Sequence, residues 1–317
     1  MSKIAIAMYH YVKNPATNKL KKIKGLTLSQ FNEQIEYLRN NFNFISFKEL
    51  IGITKGEATA PENSVLLTFD DGYIDHYENV FPLLKAKSIP AFFSMPGKII
   101  AEKQMLDVNK IHILLAVSDV PNVLASLFEK LDYYRGTEFT YPKNEELYKK
   151  LAQNGRFDEP DVVFIKRLLQ VELPEQLRNI LADELLREQG YAPESMVDSF
   201  YLSRQQVNEM HEAGMEWGIH GYDHYWMNRL EKDDLIKDIR AALDVFSEVI
   251  PPDGWGCCYP YGSVDEHVKK IVSDMGAVVG FSTHVDYAKL PSDDPLALPR
   301  FDTNDFPPIS MKYLEFD

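Results

Sequence analysis

Two neighbouring carboxylates, Asp70 and Asp71, end the apolar run SVLLTF and are followed by Gly72. Adjacent like charges raise one another's pKa unless something of opposite sign stands between them. Far along the chain, the stretch HGYDH supplies two imidazoles, His220 and His224, four positions apart. At that spacing they share one face of a helix, and they can also converge from a loop after a strand. A carboxylate at one strand end, two imidazoles at another and a second carboxylate beside the first make a three-ligand metal site with a spare base. That arrangement lets zinc bring the ionisation of water near neutral pH. In a regular strand consecutive side chains point to opposite faces, so both aspartates reach one cavity only if the chain bends, and Gly72 permits a bend. A dication between the carboxylates and the imidazoles offsets the repulsion; one aspartate ligates and the other is left to take a proton.

Such groups need elements that bring them to one place. The chain repeats a pattern of a short β-branched or aromatic run, a polar cluster with Gly or Pro, and an amphipathic helix. The runs end at His10 (KIAIAMYH), at Asp70 and Asp71 (SVLLTFDDG), and at Ser94 and Gly97 (IPAFFSMPG). Later ones end at His220 and His224 (MEWGIHGYDH), Tyr261 (WGCCYPYG), His284 (AVVGFSTH), and Arg300 and Asp302 (LALPRFDTND). Runs that each finish in reactive side chains fit a parallel barrel, whose catalytic groups gather on the loops after its strands. A doubly wound sheet usually carries a glycine-rich turn after its first strand, and here that turn reads YHYVKNP. The expected fold is therefore α/β: an irregular or incomplete (β/α) TIM-like barrel spanning residues 1–317. Residues 101–199, with long helical patterns and few strand signals, read as a helical subdomain inserted within it. Among the flanking helices, LSQFNEQIEYLRNN repeats apolar residues through Phe31, Ile35 and Leu38 with Ser29 as its cap, and SRQQVNEMHEAGM opens at Ser203 and stops at Gly214.

The bulk numbers narrow the chemistry. With 317 residues, 45% hydrophobic and 12% aromatic, the chain can bury a large core. A net charge of -14 argues against a nucleic-acid surface or an anionic membrane, leaving neutral or cationic substrates. No window approaches the apolar length of a membrane span. The only cysteines, Cys257 and Cys258, are adjacent and cannot staple distant segments, and the first residues read as a strand rather than a signal peptide. A cytoplasmic protein is the expectation. The remaining histidines have ordinary readings: His112 as a satisfied structural residue on an apolar helix, and His76, His211 and His267 as exposed.

TFDDG, HGYDH and YPYG, in this order, resemble the first three motifs of the polysaccharide deacetylase family, carbohydrate esterase family four, also called the NodB-homology domain. SIPAFFSMPG and the segment leading into HGYDH are similar to the family's flanking regions, and YHYV and LPR resemble a subgroup of it. The resemblance covers residues 1–100 and 200–305. It implies a deformed (β/α) barrel that removes acetyl groups from sugars with a divalent metal, usually zinc. Carried over by position, it makes Asp70 the general base, Asp71, His220 and His224 the metal ligands, and the Tyr261 backbone N–H a donor to the oxyanion. Amide hydrolysis needs these parts: an activated water, a proton acceptor and donors aimed at the tetrahedral oxygen.

The chain departs from the family's pattern twice. Cys258 stands where an arginine is common two positions before the motif's proline, so the charge partner of the base must come from elsewhere, and Arg300 is the candidate. No LxxH pattern follows Arg300, which leaves His10 and His284, both after strand runs, as candidates for the proton donor. The expected function is removal of an acetyl or similar acyl group from an N-acetylated sugar or oligosaccharide, such as a cytoplasmic glycan precursor. Two other readings stay open: a non-haem iron oxygenase, which uses two histidines and one carboxylate, and an inactive barrel that binds glycans or a protein.

Overall fold

Strands buried on both faces read as unbroken apolar runs, and all but the last of the runs found in the sequence become strands. The computed structural model describes residues 2–17, 20, 22–156, 158–252 and 254–316. In the first part of the chain lie β1 (Ser2–Tyr9), β2 (Val12–Lys13), β3 (Leu26–Thr27), β4 (Asn43–Phe44), β5 (Ser64–Phe69) and β6 (Phe92–Met95). The later strands are β7 (Glu216–Ile219), β8 (Trp255–Cys258), β9 (Ala277–Phe281), β10 (Ala288–Leu290) and β11 (Phe301–Asp302). One sheet runs in the order β10-β1-β5-β6-β7-β8-β9, with β4 also on β5 and β11 also on β1. All its pairings are parallel except that of β10 with β1.

The chain divides into two compact units, residues 1–17, 25–103 and 198–317 in one and residues 18–24 and 104–197 in the other. The sheet belongs to the first, as the expected (β/α) barrel in irregular form. Its core gathers Ile4, Ile6, Leu66, Phe92, Val279, Phe281 and Leu298 with Phe47, Leu50 and Ile53 of the helix Phe47–Thr54. Large rings fit there because small residues face them: a Cβ on Gly218 or Gly256 would lie 2.2 or 2.9 Å from the Phe92 ring. The run LALPRFDTND does not form one strand. Pro295 opens a 3₁₀ turn, Pro295–Ala297, and Pro299 has no N–H for a ladder, so only Phe301–Asp302 pairs with β1. Leu298 nevertheless bridges Phe281 of β9, and the tract 298–302 thereby joins the last parallel strand to the first.

The helix Leu28–Asn41 is capped by Thr27 and not by Ser29. Thr27 and Gln30 form a reciprocal capping box, in which the Thr27 hydroxyl accepts from Gln30 N at 3.2 Å and Gln30 Oε1 accepts from Thr27 N at 2.9 Å. Ser29 lies inside the first turn, 3.2 Å from Glu33. Ser203 caps the helix Arg204–Glu212 by the same device, as its sequence suggests.

The second unit contains the helices Asp107–Val117, Val120–Tyr134, Asn144–Leu151, Pro160–Arg167 and Glu175–Glu188. Ile111, Leu114, Leu127, Leu131, Phe164, Leu177 and Leu181 are buried along them, and Lys130 reaches Glu184 and Glu188 at 2.8 and 2.7 Å. His112 is half-buried on the first of these helices. Among the described residues no helix is long and apolar enough to cross a membrane.

One charge in the first unit sets a pH dependence. Asp75 precedes the π-helical turn His76–Val80, and burial, then the neighbouring Glu78, push its carboxyl from 3.8 up to about 7. A folded-state value above the unfolded one means that the native protein holds this proton more tightly. The associated stability is complete below the unfolded value and is lost as pH rises through the folded one. Asp75→Asn, which cannot ionise, is therefore expected to gain melting temperature relative to the unsubstituted protein as pH rises from about 4 to about 7, and to keep that gain above it. Thermal melts across that range check this, and a constant difference would contradict it.

Candidate active site

The site is built on loops that follow β5, β7 and β8. The Asp70 N–H donates to Tyr9 O at 3.0 Å and so continues the ladder past Phe69, after which Asp71 and Gly72 both turn left-handed, at φ 73° and 67°. The bend expected at the glycine thus begins one residue earlier, on an aspartate, a residue type that enters this region more readily than most. His224 and Tyr261 are left-handed too, at φ 62° and 58°. Strained backbone concentrates where geometry is held for function, and these three residues lie on three different loops of one site.

Asp71 Oδ1 lies 3.3 Å from His220 Nε2 and 3.2 Å from His224 Nε2. All three side chains are buried. The other carboxylate oxygen, Oδ2, accepts a hydrogen bond from the Tyr73 hydroxyl. His220 donates from Nδ1 to Cys258 O at 2.6 Å, which leaves the Nε2 lone pair aimed at Asp71. Asp71 Oδ1 is buried with no hydrogen-bond partner of its own. Lone pairs converging in this way repel unless a cation lies among them, and one donor atom from each residue falls within 4.8 Å of the others. The residues fit a divalent transition metal, for which two imidazoles and one carboxylate form a three-ligand site with open positions.

Asp70 faces different partners. Arg300, itself 1% exposed, brings its Nη1 to 2.8 Å from Asp70 Oδ2, and Ser94 donates to Oδ1 at 2.9 Å. Arg300 is held in turn by Nε to Ser282 O at 2.9 Å, and its Nη1 also reaches Thr68 Oγ1 at 3.2 Å and the Cys258 thiol at 3.4 Å. Burial alone would raise the Asp70 carboxyl, but the Arg300 charge, helped by His220 and His10, brings it down to about 2. Burial likewise opposes ionisation of Asp71; protonated imidazoles, each turning an Nε2–H to the carboxylate, override it and hold the group well below the ordinary carboxylate range, and with neutral imidazoles that place falls to a cation. Both aspartates are therefore anions at neutral pH. Arg300, the candidate read in place of the motif arginine, thus lies beside Asp70, and Cys258 packs as a thiol against its guanidinium.

The two candidate proton donors lie in different surroundings. His10 is half-buried, and its charge is felt by both Asp70 and Asp71. The His284 ring is exposed; its carbonyl accepts the Arg300 N–H at 2.8 Å, and its charge acts on Asp286. Tyr261 turns its ring edge-on to His224, 4.7 Å between centroids, and stacks on Trp226 at 4.9 Å. His211 and His267 are exposed. His76, expected at the surface, is fully buried against Phe69, Tyr73 and Phe93, because the wide turn His76–Val80 points it inward. Burial lowers its pKa to about 4, so the ring stays neutral and its Nε2 donates to His10 O at 2.8 Å.

Three further residues, assigned no role from residue type or spacing, act on this site. Ser94, at the end of one apolar run, and Tyr73, next after Gly72, each hold one carboxylate oxygen. Asp238, on the helix Lys232–Val245, accepts the N–H groups of Tyr222 and Asp223 at 2.9 and 3.0 Å and so fixes the turn between the two histidines. Its signal was a carboxylate on the buried stripe Leu235, Ile239 and Ala242. A Cβ on Gly221 would lie 2.9 Å from Asp238 Oδ2, which explains why the turn needs glycine there.

The chain is similar to several known proteins. Over 101 residues the chain is 33% identical to the poly-beta-1,6-N-acetyl-D-glucosamine N-deacetylase of Escherichia coli (strain K12), a stretch that is 31% of this chain and 15% of that protein. It is 38% identical over 74 residues to the enzyme of the same name from Staphylococcus aureus (strain MSSA476), 22% of this chain and 25% of that one. The chain thus spans a quarter or less of the length of these curated relatives. Among solved structures, the Streptococcus pyogenes deacetylase PplD in complex with acetate aligns with a TM-score of 0.58 at 16% identity, covering 99% of this chain and 96% of that one. IcaB from Ammonifex degensii aligns with a TM-score of 0.58 at 17% identity, covering 96% and 92%. At such identities the shared property is the fold. The family model described as polysaccharide deacetylase matches residues 57–156 and 169–280, a span that takes in Asp70, Asp71, His220, His224 and Tyr261. With more than half of its length matched, including the loops that carry the aspartate pair and the two histidines, the chain belongs to the polysaccharide deacetylase family.

Proposed function

We propose that this protein is a metal-dependent hydrolase that removes the acetyl group from an N-acetylated sugar. The observation that carries this reading is the pairing of two unlike carboxylates: Asp71 facing two imidazoles, and Asp70 beside it held as an anion by Arg300. Asp71, His220 and His224 would hold the cation, zinc by the character of the donors. When bound, it supplies Lewis-acid polarisation to the acyl oxygen and the attacking water. Asp70 takes the proton that this water loses, and Ser94 and Arg300 fix the carboxylate that receives it. The Tyr261 N–H stabilises the tetrahedral oxygen. As the C–N bond breaks, the departing amine takes a proton from His10, whose backbone His76 anchors.

The names of the relatives support β-1,6-linked N-acetylglucosamine as the first sugar to try. A cytoplasmic glycan precursor is the location and substrate we favour, in keeping with two free, buried thiols. Acetate release from N-acetylglucosamine oligosaccharides is the test. Removing metal with a chelator is expected to lower the rate at least about tenfold, and added zinc to restore it. A rate indifferent to chelation would overturn the reading, and oxygen uptake in place of acetate release would favour iron chemistry.

A further inference from the structure

The carboxylate that faces the imidazoles has two oxygens, and only one of them is offered. Asp71 Oδ1 faces His220 and His224, whereas Oδ2 is occupied by the Tyr73 hydroxyl. Tyr73 is 1% exposed, and its ring is enclosed by aromatic neighbours: Tyr11 stacked at 3.9 Å, Phe200 edge-on at 5.6 Å and Tyr201 stacked at 6.2 Å between centroids. The backbone is pinned as well. Tyr73 bridges Tyr201, and Leu202 N donates to Gly72 O at 2.9 Å. A phenol held on every side cannot follow the carboxylate if the carboxylate rotates, so rotation would break a charge-assisted hydrogen bond.

We propose that Tyr73 is a positioning residue that reserves Asp71 Oδ2, so that the carboxylate gives one oxygen and not two to a cation held with His220 and His224. The inference rests on the function proposed above and concerns how the same site is kept open. A carboxylate binding through both oxygens would fill a position that a catalytic metal keeps for water or substrate. Groups hydrogen-bonded to ligands typically change metal affinity or activity by about 10–100-fold when removed.

Tyr73→Phe tests this, because it keeps the ring packing and deletes only the hydroxyl. In the variant the released oxygen joins the cation. The visible spectrum of the Co2+-loaded protein is then expected to weaken towards that of a higher coordination number. The turnover number for acetate release is expected to fall about tenfold or more, with little change in KM, and Co2+ to be held at least as tightly in competition with a chelator. An unchanged Co2+ spectrum in the folded variant would mean that Tyr73 only packs. A second measurement needs no variant: zinc X-ray absorption of the unsubstituted protein is expected to show one carboxylate oxygen bound, and two would overturn the proposal. If the unsubstituted protein took up neither metal at Asp71, His220 and His224, the functional reading itself would fall; a bound metal with two carboxylate oxygens would remove only the role of Tyr73.

Discussion

Asp70→Asn is expected to lower acetate release by about a thousandfold, within the range that a positioned general base supplies, while zinc is still bound by Asp71, His220 and His224. The amide has nearly the shape of the carboxylate and can still accept the Ser94 hydroxyl, but it cannot take the proton of the attacking water. Its effect on stability runs in the same direction for another reason. Arg300 is buried with Asp70 Oδ2 at 2.8 Å, and removing one charge of such a pair leaves the other uncompensated, at a cost of about 3–5 kcal/mol. Rates must therefore be compared where circular dichroism shows both proteins folded. A variant that retained activity within about tenfold of the unsubstituted enzyme would remove Asp70 from the role of base.

Arg300→Met makes the complementary test. The methionine fills much of the volume but leaves the Asp70 carboxylate buried without its counter-charge, and it abandons the bonds to Ser282 O and Thr68 Oγ1. A loss of about 3–5 kcal/mol in unfolding free energy is expected, with acetate release falling at least about a hundredfold. The double variant Asp70→Asn/Arg300→Met is expected to be more stable than the sum of the two single losses predicts, because no lone buried charge remains. Denaturant unfolding of the four proteins measures that coupling. Strict additivity would show that the two side chains do not depend on each other.

The strands were legible because parallel, doubly buried strands leave unbroken apolar runs, and the site was legible because those runs stop in Asp70, Asp71, His220 and Tyr261. Features set by contact across the chain were harder to read. His76 reads as exposed because no residue type announces the π-helical turn that directs its ring into Phe69 and Phe93. Ser29 was a plausible cap by residue type; Thr27 prevails because Gln30 can return its bond. Arg300 could be proposed from a missing arginine, yet the broken course of LALPRFDTND, imposed by Pro295 and Pro299, gave no pairing pattern to read. Asp238 was hidden for the opposite reason: it follows the period of a buried helix stripe and reveals itself only when two amides of the histidine turn point at it.

That broken tract has a consequence for how the molecule ages and fails. Leu298 lies on β9, Phe301 and Asp302 lie on β1, and Arg300 stands between them with its N–H on His284 O. The zipper that joins β9 to β1 is thus also the carrier of the counterion of Asp70, the proposed base. Fraying of these five residues, visible as accelerated amide hydrogen exchange, withdraws the guanidinium from Asp70 at the same moment, so inactivation and seam opening run on one clock.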